Sequence, residues 1–154
     1  MARTSQITKH YTISGRNDPE SPQQAPPEPA DVWKALNRLT ASRVMRRAEK
    51  LTELFRYLVE TTLSGNAHYL KETTIGVSVF ARSPDYDPKT DAIVRSQACR
   101  LRAKLKRYYA TEGYRDPLMI DIPKGQYAAS FSWRASKPSE APLSAEQHPG
   151  IPRR

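Results

Sequence analysis

Apolar side chains recur at helical spacing between residues 49 and 63, at Leu51, Leu54, Phe55, Leu58 and Thr62 with Val59 beside them, and Gly65-Asn66 supplies a C-terminal stop. This pattern predicts an amphipathic core helix. Upstream, Asp31 is an N-cap type in front of Val32, Trp33, Leu36 and Leu39, and Ser42 can cap whatever follows. Residues 68–82 are ambiguous, because Ile75, Val77 and Val79 alternate like a strand while Leu70, Ile75, Val79 and Phe80 are spaced roughly like a helix. Ser83-Pro84-Asp85-Tyr86-Asp87-Pro88 reads as a turn-rich loop. From Asp91, another capping residue, a helix is predicted to about Thr111, with Val94, Ala98, Leu101, Leu105 and Tyr108 as its apolar stripe and Gly113 as its end. Leu118 to Ile122 then alternates with period two, Pro123-Lys124-Gly125-Gln126 forms a tight turn, and Tyr127 to Trp133 is a second strand.

Helices followed by a hairpin define an α+β domain, expected over residues 31–133. Residues 1–30 contain Pro19, Pro22, Pro26, Pro27 and Pro29 among polar residues, and 134–154 contain Pro138, Pro142, Pro149 and Pro152. Such composition buries too little apolar surface to offset ordering entropy, which predicts a disordered arm and a disordered tail. The single cysteine, Cys99, excludes an internal disulfide and a multi-thiolate zinc site. No run approaches the roughly 18 apolar residues of a spanning helix, and the start of the chain lacks a secretory core, so a cytoplasmic, nucleoid-associated protein is expected.

Charge narrows the partner. The chain carries 25 Lys or Arg against 16 Asp or Glu, a net of +9, which favours polyanions, nucleic acid foremost. Within 31–133 there are 18 basic and 11 acidic residues, a net of +7, so the excess belongs to the domain. The predicted helix at 92–109 carries Arg95, Arg100, Arg102, Lys104, Lys106 and Arg107 and no acid. A helix that is merely solvated usually mixes signs to gain pairs at i,i+4. At 100° per residue, Arg95, Arg102 and Lys106 fall on one flank, Gln97 and Lys104 on the other, and Arg100 with Arg107 point outward. Ser96, Cys99 and Ala103 centre the face opposite the apolar stripe. Small side chains there allow close approach to a groove floor, while the flanking Arg and Gln reach bases and phosphates.

The segments Asp91-Ala92-Ile93-Val94-Arg95-Ser96-Gln97-Ala98-Cys99-Arg100-Leu101-Arg102-Ala103-Lys104-Leu105 and Leu118-Met119-Ile120-Asp121-Ile122-Pro123-Lys124-Gly125-Gln126-Tyr127 resemble the OmpR-type winged helix-turn-helix effector domain of response regulators. The span from Leu54 to Phe131 is similar to winged-helix domains at the N-termini of many uncharacterised bacterial regulatory proteins. The resemblance implies a three-helix core with a C-terminal wing, a recognition helix at 92–109 in the major groove, and a wing over 118–131 on the adjacent backbone or minor groove. It also implies that 70–82 is the positioning helix. Lys124 and Gly125 then form the wing tip, and Lys71 and Thr73 stand where a helix N-terminus meets phosphate. Two departures stand out: Gln126-Tyr127 replaces the family's Gly-Tyr spacing, and no receiver domain is present, so control by aspartate phosphorylation is not implied.

Other chemistries are less well supported. No nucleophile motif or phosphate loop appears, His68 stands alone, and neither a cofactor nor a small-molecule substrate is indicated. Asp85, Asp87 and Asp91 lack the distal Glu of a calcium loop and read as a turn and a helix cap. Cys99, between Arg95 and Arg100, has the setting of a redox thiol but is more simply a small residue on a close-approach face. An aromatic share of 8% offers little stacking surface for RNA. The expected function is sequence-specific binding of double-stranded DNA in transcription regulation, with self-association or a regulatory protein partner supplying control. The rival is a winged-helix adaptor binding protein. No membrane role is expected.

Overall fold

A computed structural model describes residues 25–135; the arm and tail expectations for 1–24 and 136–154 lie outside the described residues. Helix α1, Pro29–Ala41, begins earlier than Asp31, because Pro29 fits the first helical position and Glu28 occupies the cap with extended backbone. Asp31 instead sits in the first turn, where a carboxylate favours the positive end of the helix dipole. Ser42 caps the C-terminal side: its hydroxyl donates to Leu39 O at 2.6 Å and accepts from Met45 N at 3.4 Å. Helix α2 is Glu49–Leu63 and a short 3-10 turn spans Ala67–Tyr69.

The ambiguous segment is helical. Helix α3 is Glu72–Phe80, shorter than 70–82, with Ile75, Gly76 and Val79 buried. The strand-like alternation misleads because Val77 is exposed. The helix ends on Ala81 in the left-handed region, φ 50°, and Arg82 N donates to Gly76 O at 3.0 Å. Helix α4, Ile93–Ala110, is capped one residue further upstream than the backbone cap Ala92, since Asp91 Oδ1 accepts from Ile93 N at 3.0 Å.

Strands β1, Leu118–Asp121, and β2, Ser130–Trp133, pair antiparallel, with Leu118 opposite Trp133 and Asp121 opposite Ser130. The second strand starts three residues later than expected. Tyr127 and Ala129 have partners outside the ladder: the Tyr127 hydroxyl donates to Glu72 Oε1 at 2.9 Å, and Ala129 N donates to Thr62 Oγ1 at 3.0 Å. Both bonds tie the hairpin loop to the helices. Hydrogen bonds also reach beyond residues 31–133. Trp133 Nε1 donates to Ala25 O at 2.7 Å, and Arg134 donates through its backbone to Pro117 O and through Nε to Asp116 O.

One core joins the four helices and β1. Val32, Leu36 and Leu39 of α1, Leu54, Phe55 and Leu58 of α2, Ile75 of α3, Val94, Leu101 and Leu105 of α4, and Leu118 and Ile120 of β1 are all buried in it. The expected three-helix core is therefore a four-helix core, because α1 contributes a full stripe at 32, 35, 36 and 39 that packs toward α2 and β1. Among the described residues the observed class is α+β, four helices with a two-stranded antiparallel hairpin. No described helix is long and apolar enough to cross a membrane.

The link from α3 to α4 depends on close packing at Gly76. A Cβ there would stand 2.6 Å from Cε1 of Tyr86, whose hydroxyl donates to Asp91 O at 2.6 Å. Gly76→Ala should lower unfolding free energy in urea by about 1–3 kcal/mol despite the better helix propensity of alanine, because overpacking outweighs it. Ala81→Gly, which relieves a left-handed alanine, should raise it by up to about 1 kcal/mol. A neutral or stabilising Gly76→Ala would show that Tyr86 does not hold this joint.

Candidate nucleic-acid interface

Burial of Val94, Ala98, Leu101, Leu105 and Tyr108 turns the opposite side of α4 to solvent. Ser96, Cys99, Arg100, Ala103, Lys106 and Arg107 are exposed along it, at intervals of three and four residues that keep them on one face. Ser96 returns its hydroxyl to Ile93 O at 3.0 Å and so adds no reach of its own. The ridge is consequently low at 96, 99 and 103, with cations rising beside it.

A groove lies on each side of this ridge. On the hairpin side, about 690 Å³ is lined by Arg102, Lys106, Tyr109, Met119, Asp121, Lys124 and Arg134, among others. On the other side, about 650 Å³ is lined by Arg47, Glu49, Lys50, Gln97, Arg100, Ala103 and Lys104, among others. Of the flank expected for Arg95, Arg102 and Lys106, Arg102 and Lys106 line the hairpin-side groove while Arg95 turns to Pro88 and Glu72; Gln97 and Lys104 line the other groove.

Several of the expected contact residues are engaged within the fold. Arg102 Nε donates to Ile122 O at 2.8 Å, and its Nη2 donates to Pro123 O at 3.2 Å and Gln126 O at 2.9 Å. It therefore braces the turn that carries Lys124 and Gly125. That turn closes with Gln126 N donating to Pro123 O at 3.3 Å, and Gly125 has φ +86°, a conformation that suits glycine. Lys104 Nζ donates to Val44 O at 2.6 Å. Arg95 Nη2 donates to Pro88 O at 2.9 Å, and its Nε lies 3.7 Å from Glu72 Oε2. Glu72 is thus held between Arg95 and Tyr127, and its Oε2 has no hydrogen-bond partner. Lys71 and Thr73 flank it, both exposed, with Lys71 at the cap of α3. No hydrogen bond or ion pair to another described residue engages the side chain of Arg100, Lys106, Arg107 or Lys124.

The loop between α1 and α2 was not anticipated as part of this surface. Arg43, Arg46 and Arg47 are exposed there. The loop is held against the end of α4 by Glu112, whose carboxylate accepts from Arg43 N at 2.9 Å and from Val44 N at 3.0 Å. The sequence signal was the basic run itself, Arg43-Val44-Met45-Arg46-Arg47, outside any periodic segment.

Among the described residues no three His, Cys, Asp or Glu side chains gather into a metal-binding group. Asp87 and Asp91 serve local backbone, Asp87 Oδ1 accepting from Lys89 N at 2.9 Å and Asp91 accepting from Ile93 N and, through Oδ2, from Arg82 Nε at 2.7 Å.

Tyr127 ties the interface to pH. Burial, and then its bond to the Glu72 carboxylate, push its phenol from 10.0 up to about 12; burial pushes Tyr109 up to about 12 as well. A phenol whose pKa is raised on folding contributes stability that is complete below pH 10 and is lost as pH rises toward 12. Urea midpoints should accordingly be flat to about pH 10 and then fall. Tyr127→Phe should make that alkaline fall shallower, and an identical slope in the variant would show that the Tyr127 phenol is not raised on folding. No protein-family model, no curated protein and no solved structure matches this chain.

Proposed function

We propose that this chain binds duplex DNA sequence-specifically as a transcriptional regulator, in the manner of a winged helix, and is a binding protein and not an enzyme. In this reading α4 enters the major groove as the recognition helix and the hairpin acts as the wing, with Lys124-Gly125 against the neighbouring backbone or minor groove. The observation that carries it is the acid-free outward face of α4, low at Ser96, Cys99 and Ala103 and bordered by Arg100, Lys106 and Arg107. A major groove roughly 12 Å wide admits one helix, and only if the leading side chains are small or make bonds to base edges. In this reading bases are met by Arg100 and the half-buried Gln97, which line the loop-side groove together. Arg102 acts through the wing, which it fixes to α4 by three hydrogen bonds. Lys71 and Thr73 add a contact to phosphate from α3. Association with the nucleoid follows from this activity, and control falls to self-association or a partner protein.

Selection of bound sequences from random duplex DNA should converge on a site. With Lys71, Lys106, Arg107 and Lys124 contributing about four phosphate contacts at a slope near −0.9 each, affinity should fall about a hundredfold between about 50 and 200 mM salt. Salt-insensitive binding of an acidic protein in place of DNA would favour the adaptor reading. Ala103→Glu separates function from folding. Its position is exposed, so stability should change by less than about 0.5 kcal/mol, yet a carboxylate set against the duplex should abolish binding. Arg100→Ala should cost about 1–3 kcal/mol of binding and relax one base position. An Ala103→Glu protein that folds and binds normally would remove α4 from the interface.

A further inference from the structure

We infer that the α1–α2 loop is a second phosphate-contacting element, carried by Arg47, which holds the DNA strand across the major groove from the one met by the hairpin. The inference rests on the duplex-DNA reading of α4 and extends it to a region that reading leaves out. Its basis is the likeness of the two grooves beside the α4 ridge. Each is lined by four cations and a single carboxylate: Arg47, Lys50, Arg100 and Lys104 with Glu49 on the loop side, and Arg102, Lys106, Lys124 and Arg134 with Asp121 on the hairpin side.

In each groove two of the four cations are committed to the fold. On the loop side Lys50 Nζ bonds Glu53 at 2.7 Å and Val79 O at 3.3 Å, and Lys104 bonds Val44 O. On the hairpin side Arg102 bonds the turn carbonyls, and Arg134 bonds Asp116 O and Gly113 O. Arg47 and Arg100 remain on one side, Lys106 and Lys124 on the other. Two cationic borders separated by a ridge of small side chains match a groove walled by two phosphate backbones. A single strand has only one backbone and would leave one border unused.

The loop is built to hold its arginines still. Glu112 anchors Arg43 N and Val44 N, Lys104 takes Val44 O, and Met45 is buried beneath. Arg47 itself has φ +61°, a region where glycine is unstrained and other residues are disfavoured by about 1–2 kcal/mol. Its side chain projects from this fixed turn beside Gln97 and Arg100, so an arginine at this position has a use that offsets a poor backbone conformation.

The test measures the salt dependence of binding to a short mixed-sequence duplex for the full chain and for Arg47→Ala, Arg47→Lys, Lys124→Ala and the double alanine variant. Arg47→Ala and Lys124→Ala should each reduce the slope by about one, and together by about two, while Arg47→Lys retains it. Arg47→Gly suits the backbone and so controls for folding; it should lose the same slope as Arg47→Ala with a melting temperature no lower than that of the parent. Ethylation interference on a selected site should show the phosphates lost to Arg47→Ala and to Lys124→Ala on opposite strands. A parent protein without salt-dependent duplex binding overturns the DNA reading itself. A parent that binds, with Lys124→Ala altering the slope and Arg47→Ala leaving it unchanged, overturns only the role of the loop, as does loss of phosphates on the same strand in both variants.

Discussion

Burial of Val94, Ala98, Leu101, Leu105 and Tyr108 dictates where every other feature of α4 points. A helix that commits one stripe to the core must present the opposite stripe to solvent, and here that stripe is Ser96, Cys99, Ala103 and their basic neighbours. Moving the stripe one position toward the C-terminus would bury Arg95, Arg102 and Lys106 and expose Leu101. Neither is tolerable, since an unpaired buried guanidinium costs several kcal/mol and an exposed leucine forfeits about 2 kcal/mol of burial. The orientation of the candidate interface is therefore held by the hydrophobic core and not by any contact within the interface itself.

Around that helix the polar side chains divide into two classes. Arg102, Lys104 and Glu112 bond backbone of other elements and fix the hairpin turn and the α1–α2 loop relative to α4, while Arg134 bonds the connection between α4 and β1. Bonds from charged groups to otherwise unpaired backbone are among the stronger ones available to a small domain. Arg47, Arg100, Lys106, Arg107 and Lys124 have no such task and remain available to a polyanion. A surface in which some cations build the frame and the others line it is one in which simple counts of charge overstate the contacts made to a partner.

The joint between α3 and α4 shows a similar division of labour. Glu72 meets Arg95 from α4 and Tyr127 from the hairpin loop, and Gly76 receives the ring of Tyr86 from the intervening segment. These contacts bring α3, α4 and the hairpin to one place. The proposed placement of Lys71, Thr73 and Lys124 on a shared nucleic-acid surface relies on that convergence.

By itself the sequence determined the features that depend on local repetition. The stripe of α4, its acid-free opposite face, the hairpin and its Lys124-Gly125 turn follow from periods of 3.6 and 2 and from residue types suited to particular backbone angles. The assignment of Arg102 and Lys106 to one flank and Gln97 and Lys104 to the other required only helical geometry, whereas Arg95, expected beside Arg102, is drawn to Pro88 and Glu72 by contacts no helical period records. The short segment 72–80 was the exception, because nine residues rich in Ile and Val satisfy both periods and only packing of Gly76 and Val79 distinguishes them. Tertiary structure alone decided which charges remain uncommitted. Arg102 bonds carbonyls 20 to 24 residues away, Lys104 bonds one 60 residues away, and Glu112 holds amides 68 and 69 residues away. No local pattern records such pairings, since they arise only when the core brings distant segments within hydrogen-bond distance, and it is through them that Arg47 comes to stand beside Arg100.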